Sequence, residues 1–442
     1  LLLGMFIAAA IEMIGLGSVP IFIMIIIDID VLINKFPTFF ANDYIKNIRQ
    51  DYITIFGGII LILIFLLKNV YLSLFLFFQG KVIKILKIDV TNKLFKIYIN
   101  APYSFHIINN PSVLIRNITQ SVSGAINTIL STLTVTREIL ILIVVFILLF
   151  LNEPVVSISV FSILILITGL FMFFTRQTLI SRGEQVQFLF EDQMKTMNHT
   201  LGSIKETKIL NRENYLTNLF MHQVDKIEKH SFFSYFLSQT PRLFLEFIAV
   251  FTVALTTIIF VLINLSNEQI LPTISLLAVC AIRLIPAFNS IVSSISTRRF
   301  SKASLKIVSG EMINVPIEDK FKNKNLIEEK NYKKYLFKDQ IKFENVFFSH
   351  ENSNAKILQN ISLEIRRGQK VGIIGKSGAG KSTLIDLILG LIKPIEGKIL
   401  IDDSNLEYNL RDWQKQIGYV PQDIYLLDDT IKNNIAFGLN TN

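Results

Sequence analysis

Long blocks of apolar residues fill the first 300 positions of this chain, and they restrict the fold more than any other feature. A helix that crosses a bilayer needs about 20 mostly apolar residues in a row. Six segments meet that requirement, at about 1–27, 53–78, 124–151, 154–175, 244–263 and 270–295. We therefore predict an all-α, six-helix transmembrane domain over residues 1–301.

Lysine and arginine are distributed unevenly over the connections between these spans. Residues 79–123 hold five lysines and one arginine against the single acid Asp89, and residues 176–240 are also basic. Short basic loops stay in the cytoplasm, so these connections and the C-terminal part are predicted inside. The cytoplasmic excess of lysine and arginine explains the net charge of +9. We therefore expect no nucleic acid as partner. We expect a multi-pass protein of a bacterial inner (plasma) membrane.

The two basic connections are too long to be simple turns. Thr91–Asn100 and Gln185–Asn198 keep a helical composition, which predicts that the helices continue beyond the bilayer. Residues 302–339 are dense in charged and polar residues without apolar periodicity, and we interpret them as a linker. Residues 340–442 then read as a soluble α/β domain.

A glycine-rich segment follows the apolar run Lys370–Ile374, which we predict to be a strand, and precedes a predicted helix. Its residues are Gly375, Lys376, Ser377, Gly378, Ala379, Gly380, Lys381, Ser382 and Thr383. This is the pattern of a phosphate-binding loop, in which glycines let backbone N–H groups point at phosphate oxygens. Lys381 is expected to reach the β- and γ-phosphates and Ser382 to bind Mg²⁺. The alternative, a chance glycine-rich turn, is disfavoured by the flanking elements.

The residues around this loop resemble the ATPase domain of the ABC transporters over the whole stretch 340–442. The segments that carry the likeness are the predicted strands Ile341–Phe348, Ile357–Arg366 and Ile399–Asp402 and the Q-loop segment Ile417–Gln422. The resemblance implies that the domain is an incomplete P-loop NTPase domain of the α/β class, with ATP and Mg²⁺ as cofactors.

Two further site residues come from that resemblance. Gln422 would approach Mg²⁺ and the attacking water, although a glutamine after proline is otherwise a turn residue. The family's adenine-stacking tyrosine is replaced here by His350. A histidine ring stacks on adenine with less area, so stacking and an exposed loop position both remain open.

Both ends of the chain look truncated. The first residue is leucine rather than methionine, and the family's signature segment, Walker B acid and switch histidine do not occur before Asn442. We therefore expect a fragment that holds phosphates without hydrolysing ATP. The resemblance implies an ATPase coupled to transport in the full-length protein. It also implies a dimer, most simply a homodimer, because two such domains enclose two ATP molecules.

Six spans fused to this ATPase resemble the exporter-type ABC architecture. By that resemblance, short coupling helices are expected around Tyr103–Pro111 and Asn211–Tyr215, where a solvated charged helix is the alternative reading. Several spans also carry ionisable residues: Glu12, Lys68, Glu138, Glu246 and Arg283. Such residues face a cavity or a partner. We hypothesise that Arg283 binds an anionic group of the substrate, with an interhelical ion pair to Glu246 or Glu138 as the alternative.

A narrower resemblance concerns the substrate. Leu201–Glu213, Thr240–Glu246 and Thr273–Ile291 are similar to flippases for lipid-linked oligosaccharides of the PglK type. This implies an amphiphilic, pyrophosphate-bearing lipid as substrate and membrane lipid as partner. An exporter of peptide, drug or glycolipid with the same architecture is the first alternative. A membrane-anchored P-loop NTPase without transport is a second, although simple anchoring needs only one span.

Overall fold

The chain forms two compact units. The computed structural model describes residues 1–27, 50–152, 154–262, 267–316, 336–349, 356–422, 424 and 426–439. The first unit comprises Leu1–Ile99 and Asn109–Val315, and the second comprises Asn100–Ile108 and Pro316–Asn442. The chain therefore passes from the first unit into the second and back before it enters the second unit for its C-terminal part.

The first unit is helical. Its described helices are α1 (Leu2–Ile27), α2 (Gln50–Ile99), α4 (Pro111–Arg116), α5 (Val122–Asn152), α6 (Pro154–Gly202), α7 (Ile204–Ile209), α8 (Glu213–Leu262), α9 (Asn267–Phe300) and α10 (Lys302–Asn314). A π-helical turn, Asn117–Ser121, joins α4 to α5. The short helix α3 (Tyr103–Ile108) belongs to the second unit.

Several of these helices are far longer than a bilayer requires. The helix α2 has 50 residues, so it is about 75 Å long at 1.5 Å per residue, against a hydrocarbon core of about 30 Å. The helices α6 and α8 have 49 and 50 residues. The predicted continuation of the helices beyond the membrane is therefore confirmed. The helix α5 ends at Asn152 and α6 begins at Pro154, which agrees with the boundary predicted between the third and fourth spans.

Five helical segments among the described residues are long and apolar enough to cross a membrane. They are Leu2–Ile26, Asp51–Ile99, Pro111–Leu151, Ser157–Gly202 and Glu213–Ile259. These segments overlap the first five predicted spans. The sixth predicted span, at about 270–295, falls inside the continuous helix α9 but is not one of these five.

The membrane helices pack through a core of aliphatic and aromatic side chains from α1, α5, α6, α8 and α9. Leu16, Val145, Phe161, Leu245 and Phe288 belong to this core and are almost fully buried. Large apolar side chains on the outer faces are exposed instead, for example Phe77 and Phe173, each at 76%. An apolar outer surface of this extent is suited to contact with lipid acyl chains.

Two glycines allow helices of the first unit to approach closely. Gly183 of α6 lies against the backbone of Phe300 at the end of α9, and Gly124 of α5 lies against Ser304 of α10. A side chain at either position would overlap its neighbour, so the close approach depends on glycine.

Replacing Gly183 with alanine is expected to destabilise the first unit by about 1–3 kcal/mol, the usual cost of overpacking. A Cβ at this position would overlap the carbonyl oxygen of Phe300, and a backbone carbonyl cannot rotate out of the way as a side chain can. The midpoint of thermal unfolding of the full-length protein in nanodiscs measures the effect. Gly169→Ala is the matched control, because no atom of another group lies within 4 Å of a Cβ there. Equal midpoints for the two variants would contradict the packing argument.

A polar network holds the helix extensions together. Arg116, which is 4% exposed, donates to the carboxylate of Glu191 at 2.8 Å, and Asn117 donates to the hydroxyl of Tyr98 at 3.0 Å. Burial alone would raise the pKa of the Glu191 carboxyl. The hydrogen bonds from Lys195 and Arg116 outweigh burial and hold this pKa below its usual value. Glu191 therefore stays ionised, and the network holds α2, α4 and α6 against one another.

The second unit contains an antiparallel sheet with the strand order β2-β1-β3-β4. Its strands are β1 (Gln340–Phe348), β2 (Leu358–Arg366), β3 (Glu396–Ile401) and β4 (Ser404–Asn405). Its C-terminal helices are α11 (Lys381–Ile388), α12 (Leu410–Gln414) and α13 (Ile431–Ile435). Phe343, Leu387 and Ile401 form the core between sheet and helices, and the Trp413 indole donates to the carbonyl of Ile388 at 2.8 Å. The three strands predicted in this region are confirmed within a few residues.

The predicted strand Lys370–Ile374 is not observed. These residues lie outside any strand, and Ile374 is 98% exposed. A strand needs a neighbouring strand for its backbone hydrogen bonds, and no strand of the described residues pairs with this segment. Its apolar side chains consequently remain on the surface of the unit.

The linker prediction needs a correction at its N-terminal end. Residues 302–314 form the helix α10, which belongs to the first unit. Ser304 and Val308, one turn apart, are buried on one face of this helix. Two buried positions among many charged residues are too few to predict an amphipathic helix from the sequence. Of the remainder of the predicted linker, residues 317–335 lie outside the described residues.

Candidate functional site

The glycine-rich segment forms a loop that ends at the N-terminus of α11. Gly378 and Gly380 have φ angles of +83° and +82°, which residues with a side chain rarely adopt. A Cβ at Gly380 would also lie 2.9 Å from the side chain of Leu358. The conformation of this loop therefore depends on these glycines. The loop is followed directly by the N-terminus of α11, which is the positive end of the helix dipole.

Lys381 is the first residue of α11, and its side chain folds back onto the loop. Its Nζ donates to the carbonyl of Gly375 at 3.0 Å and to the carbonyl of Lys376 at 2.9 Å. The ammonium group is thereby held against the concave backbone that precedes the helix. The neighbouring Ser382 is exposed, so its hydroxyl is accessible.

These features fit the phosphates of ATP. Glycine-dependent loop geometry, a helix N-terminus and a lysine held at the loop are the elements that bind phosphate groups in P-loop proteins. Gly375–Gly380 would hold the phosphates through backbone N–H groups, Lys381 would neutralise the β- and γ-phosphates, and Ser382 would provide a ligand for Mg²⁺. Bound ATP supplies a phosphoanhydride bond whose hydrolysis releases free energy.

The other two predicted nucleotide residues are not joined to this loop by the described contacts. Gln422 follows Pro421, is exposed, and makes no hydrogen bond within the described part of the chain. Its position beside Mg²⁺ therefore stays a prediction. His350 lies outside the described residues.

The helix α3, at the first predicted coupling position, is part of the second unit. It borders a cavity of about 950 Å³ in that unit. Ile107 and Ile108 of α3 line this cavity together with Ile395 and Tyr408 of the ATPase part. The connection between α2 and α4 thus belongs in part to the second unit, and its role in coupling stays a prediction.

The second predicted coupling position lies in the first unit. The short helix α7 ends at Ile209 and is followed by a turn in which Asn211 has a φ of +50°. Ile209 and Leu210 are both more than 60% exposed. This turn presents apolar side chains at its surface, and its role in coupling stays a prediction.

A cluster of five charged side chains lies inside the membrane unit. Glu12 Oε1 is 3.4 Å from Lys68 Nζ and 2.8 Å from Arg283 Nε. Glu138 is paired with Arg283 at 3.5 Å and with Arg137 at 2.6 Å. The two carboxylates are 3% and 4% exposed. The cluster joins α1, α2, α5 and α9 by charge pairs in a region where an unpaired charge is costly.

This arrangement bears on the hypothesis for Arg283. Its guanidinium is engaged by Glu12 and Glu138, which is the interhelical ion pair considered as the alternative, although Glu246 is not one of the partners. Its Nε–H is not aimed at Glu12, so that contact is electrostatic rather than a hydrogen bond. Binding of a substrate anion by Arg283 stays a prediction, and these contacts give it no support.

Sequence reasoning missed Arg137 as a member of this cluster. The residue stands directly before Glu138 in the third predicted span, and two adjacent charges in an apolar run were the available signal. It was missed because the pairing of Arg137 with Glu138 depends on side-chain geometry rather than on helical spacing.

Comparison with known proteins gives the same two-part division. A family model described as the ABC transporter transmembrane region matches residues 2–284, more than half of the chain. A model described as ABC transporter matches residues 358–438. A solved bacterial Atm1-family ABC exporter with ATP bound superposes with a TM-score of 0.71 over 99% of this chain and 74% of that chain. Its identity is 17%, so this likeness shows the fold alone.

Sequence relatives include two proteins named ATP-dependent lipid A-core flippase. The one from Wigglesworthia glossinidia brevipalpis is 27% identical over 377 residues, which cover 81% of this chain and 60% of that protein. The one from Coxiella burnetii is 46% identical over 99 residues, which cover 22% of this chain and 17% of that protein. The chain thus spans about 60% of the length of the first relative. By its matched transmembrane region and the ATP-binding part that follows, the chain belongs to the ABC transporter family.

Proposed function

We propose that the full-length protein is an ATP-driven exporter that moves an amphiphilic lipid across the membrane. The observation that carries this proposal is the path of the chain between α2 and α4. Residues Asn100–Ile108 leave the membrane unit, join the nucleotide-binding unit and return. A P-loop protein that was only anchored would need neither this excursion nor several spans.

The substrate class is inferred from the relatives and from the apolar surface of the membrane unit. Proteins named lipid A-core flippase favour a lipid or glycolipid, and a lipid can approach a helical unit from the bilayer itself. The lipid-linked oligosaccharide indicated by the sequence resemblance is the finer form of this proposal. Export of a peptide or drug remains the alternative.

We further propose that the protein works as a homodimer in the inner membrane of a bacterium, with its nucleotide-binding unit in the cytoplasm. The basic residues of the long connections support this orientation. The homodimer is supported by family membership, since each ATP site of the family is completed by a second ATPase domain. Mg²⁺ is proposed as the metal partner of ATP, with Ser382 and Gln422 as its candidate protein ligands.

Stimulation of ATP hydrolysis by a candidate lipid tests this function. In nanodiscs, hydrolysis by the full-length protein is expected to rise when a lipid A-core glycolipid or a polyprenyl-pyrophosphate oligosaccharide is added, because transport substrates promote the coupled cycle. The lipid that stimulates hydrolysis more strongly identifies the substrate class, either a lipid A-core glycolipid or a lipid-linked oligosaccharide. Stimulation by a hydrophobic peptide or a cationic drug, with neither lipid active, would replace the lipid proposal by the alternative.

A further inference from the structure

A polar cavity in the membrane unit differs from the charge cluster, because polar groups that line it lack partners. The cavity has a volume of about 610 Å³, within the range of about 300–1,000 Å³ found for small-molecule sites. It lies between α8 and α9. Its polar lining consists of Arg242, Glu246, Asn289, Ser290, Ser293 and Ser294.

Hydroxyl groups in this cavity are free to bind a ligand. Several serine and threonine hydroxyls elsewhere in the spans donate to a carbonyl one turn earlier, as Thr128 does to Gly124 at 3.1 Å and Ser159 to Val155 at 2.8 Å. The buried hydroxyl of Thr168 in span four is an exception without a partner. Within the part of the chain that the structure describes, no such bond is made by Ser290, Ser293 or Ser294. The buried Oδ1 atom of Asn289 also lacks a donor.

The charged groups of the cavity are free as well. Arg242 and Glu246 are one turn apart on α8, and among the described residues neither has an ion-pair partner within 4 Å. The carbonyl of Ile282 adds a further acceptor, because Pro286 has no N–H to continue the helical bonding pattern of α9. Arg242 and Glu246 are exposed side chains, whereas the Asn289 Oδ1 atom is buried without a donor, and buried polar atoms are normally hydrogen-bonded. The cavity therefore offers a ligand two accessible charges and an unsatisfied buried acceptor.

The depth of the cavity identifies the leaflet from which a ligand would enter. Arg242 precedes the predicted start of span five by two residues, and Ser294 precedes the predicted end of span six by one. Both span ends are cytoplasmic according to the distribution of basic residues. Arg242 and Ser294 therefore lie at the level of the inner-leaflet head groups, and Asn289 lies about 7 Å deeper along α9.

We propose that this cavity is the entry site for a phosphorylated sugar head group of a lipid in the cytoplasmic leaflet, an inference that rests on the proposed function. Arg242 binds the phosphate, because a guanidinium pairs with phosphate oxygens through two hydrogen bonds. Glu246 and Asn289 accept hydrogen bonds from sugar hydroxyls, and the serine hydroxyls complete the set. A phosphate without a sugar leaves the deeper groups unsatisfied, whereas a neutral sugar leaves Arg242 without an anion.

Three lipids separate these contributions. ATP hydrolysis by the full-length protein in nanodiscs is titrated with lipid A, with phosphatidate, which has a phosphate but no sugar, and with a monogalactosyl lipid, which has a sugar but no phosphate. Wild type is expected to respond at the lowest concentration to lipid A. Arg242→Gln is expected to raise the half-maximal lipid A concentration about tenfold, the effect of losing one charge-assisted hydrogen bond. Its response to the galactolipid is expected to stay unchanged.

Two controls show that Arg242→Gln acts on the phosphate. Arg176→Gln removes an exposed arginine just past the end of span four, outside the lining of the cavity, and is expected to match wild type. Arg242→Lys keeps the charge without the bidentate geometry, and an intermediate half-maximal concentration is expected. A midpoint of thermal unfolding equal to that of wild type shows that the variants are folded.

The outcomes distinguish this inference from the function on which it rests. If lipid A stimulates wild type and Arg242→Gln equally, the cavity is not the head-group site, and the proposed lipid transport stands. If Arg242→Gln weakens the response to all three lipids to the same degree, Arg242 acts on coupling and the inference is also overturned. If neither these lipids nor the polyprenyl-pyrophosphate oligosaccharide stimulates wild type, the proposed function itself fails.

Discussion

Replacing Lys381 with alanine is expected to lower ATP hydrolysis by the full-length protein about 100- to 1,000-fold, the range for losing one group that stabilises charge in a transition state. Its ammonium group is held at the phosphate-binding loop by the carbonyls of Gly375 and Lys376. Alanine would leave the β- and γ-phosphates without this positive charge. Phosphate release from ATP, measured in nanodiscs with and without lipid, gives the rate.

The control for this experiment is Lys415→Ala in the same unit. The Lys415 side chain is 72% exposed, and its ion-pair partner among the described residues is Asp412, one turn earlier on the surface. Exposed pairs of this kind contribute little, so this variant is expected to hydrolyse ATP like wild type. Residual hydrolysis above one tenth of the wild-type rate in Lys381→Ala would place the chemistry elsewhere.

Replacing Glu12 with glutamine is expected to destabilise the membrane unit by about 3–5 kcal/mol, the cost of breaking a buried ion pair from one side. Glutamine keeps the size of the side chain, so the loss reflects charge rather than a cavity. Lys68 and Arg283 would then share no carboxylate, while Arg283 would keep only the 3.5 Å contact to Glu138. The midpoint of thermal unfolding in nanodiscs measures this loss.

A second substitution tests whether the loss comes from the charge pair. Adding Arg283→Gln to Glu12→Gln removes the uncompensated cation of Arg283. The double variant is therefore expected to recover a large part of the decrease in the midpoint of thermal unfolding. In a double-mutant cycle this recovery appears as a coupling energy between the two residues. Glu184→Gln, at an exposed position of α6, is the matched control and is expected to have little effect. Additive losses in the double variant would show that Glu12 and Arg283 stabilise the unit independently.

The parts of the fold that were predictable from sequence are those that depend on local composition. Apolar runs of bilayer length gave the first five spans, and the basic connections of helical composition gave the helix extensions. The phosphate-binding loop was predictable because its geometry depends on glycines at fixed spacing, such as Gly378 and Gly380. The strand at Lys370–Ile374 was not predictable in this way, because a strand depends on neighbours distant in sequence.

The candidate sites in the membrane could be predicted only in part. Glu12, Glu138 and Arg283 were recognisable as charges in apolar runs, but their pairing depends on how α1, α5 and α9 are rotated about their axes. The cavity with Arg242 and Asn289 was not predicted, since these residues are 47 positions apart and polar serines near a span end are unremarkable by themselves. What distinguishes them is the absence of partners, which only side-chain geometry reveals.

The composition of the charge cluster has an electrical consequence. In the described residues it holds three formal cations and two formal anions, so the cluster itself carries one surplus positive charge. A full elementary charge that crosses a membrane potential of 100 mV gains or loses about 2.3 kcal/mol. If the cluster shifts along the membrane normal during the transport cycle, the voltage of an energised membrane, negative inside, does work on that shift. Movement toward the cytoplasm is then favoured, and the balance between inward-facing and outward-facing states becomes dependent on voltage.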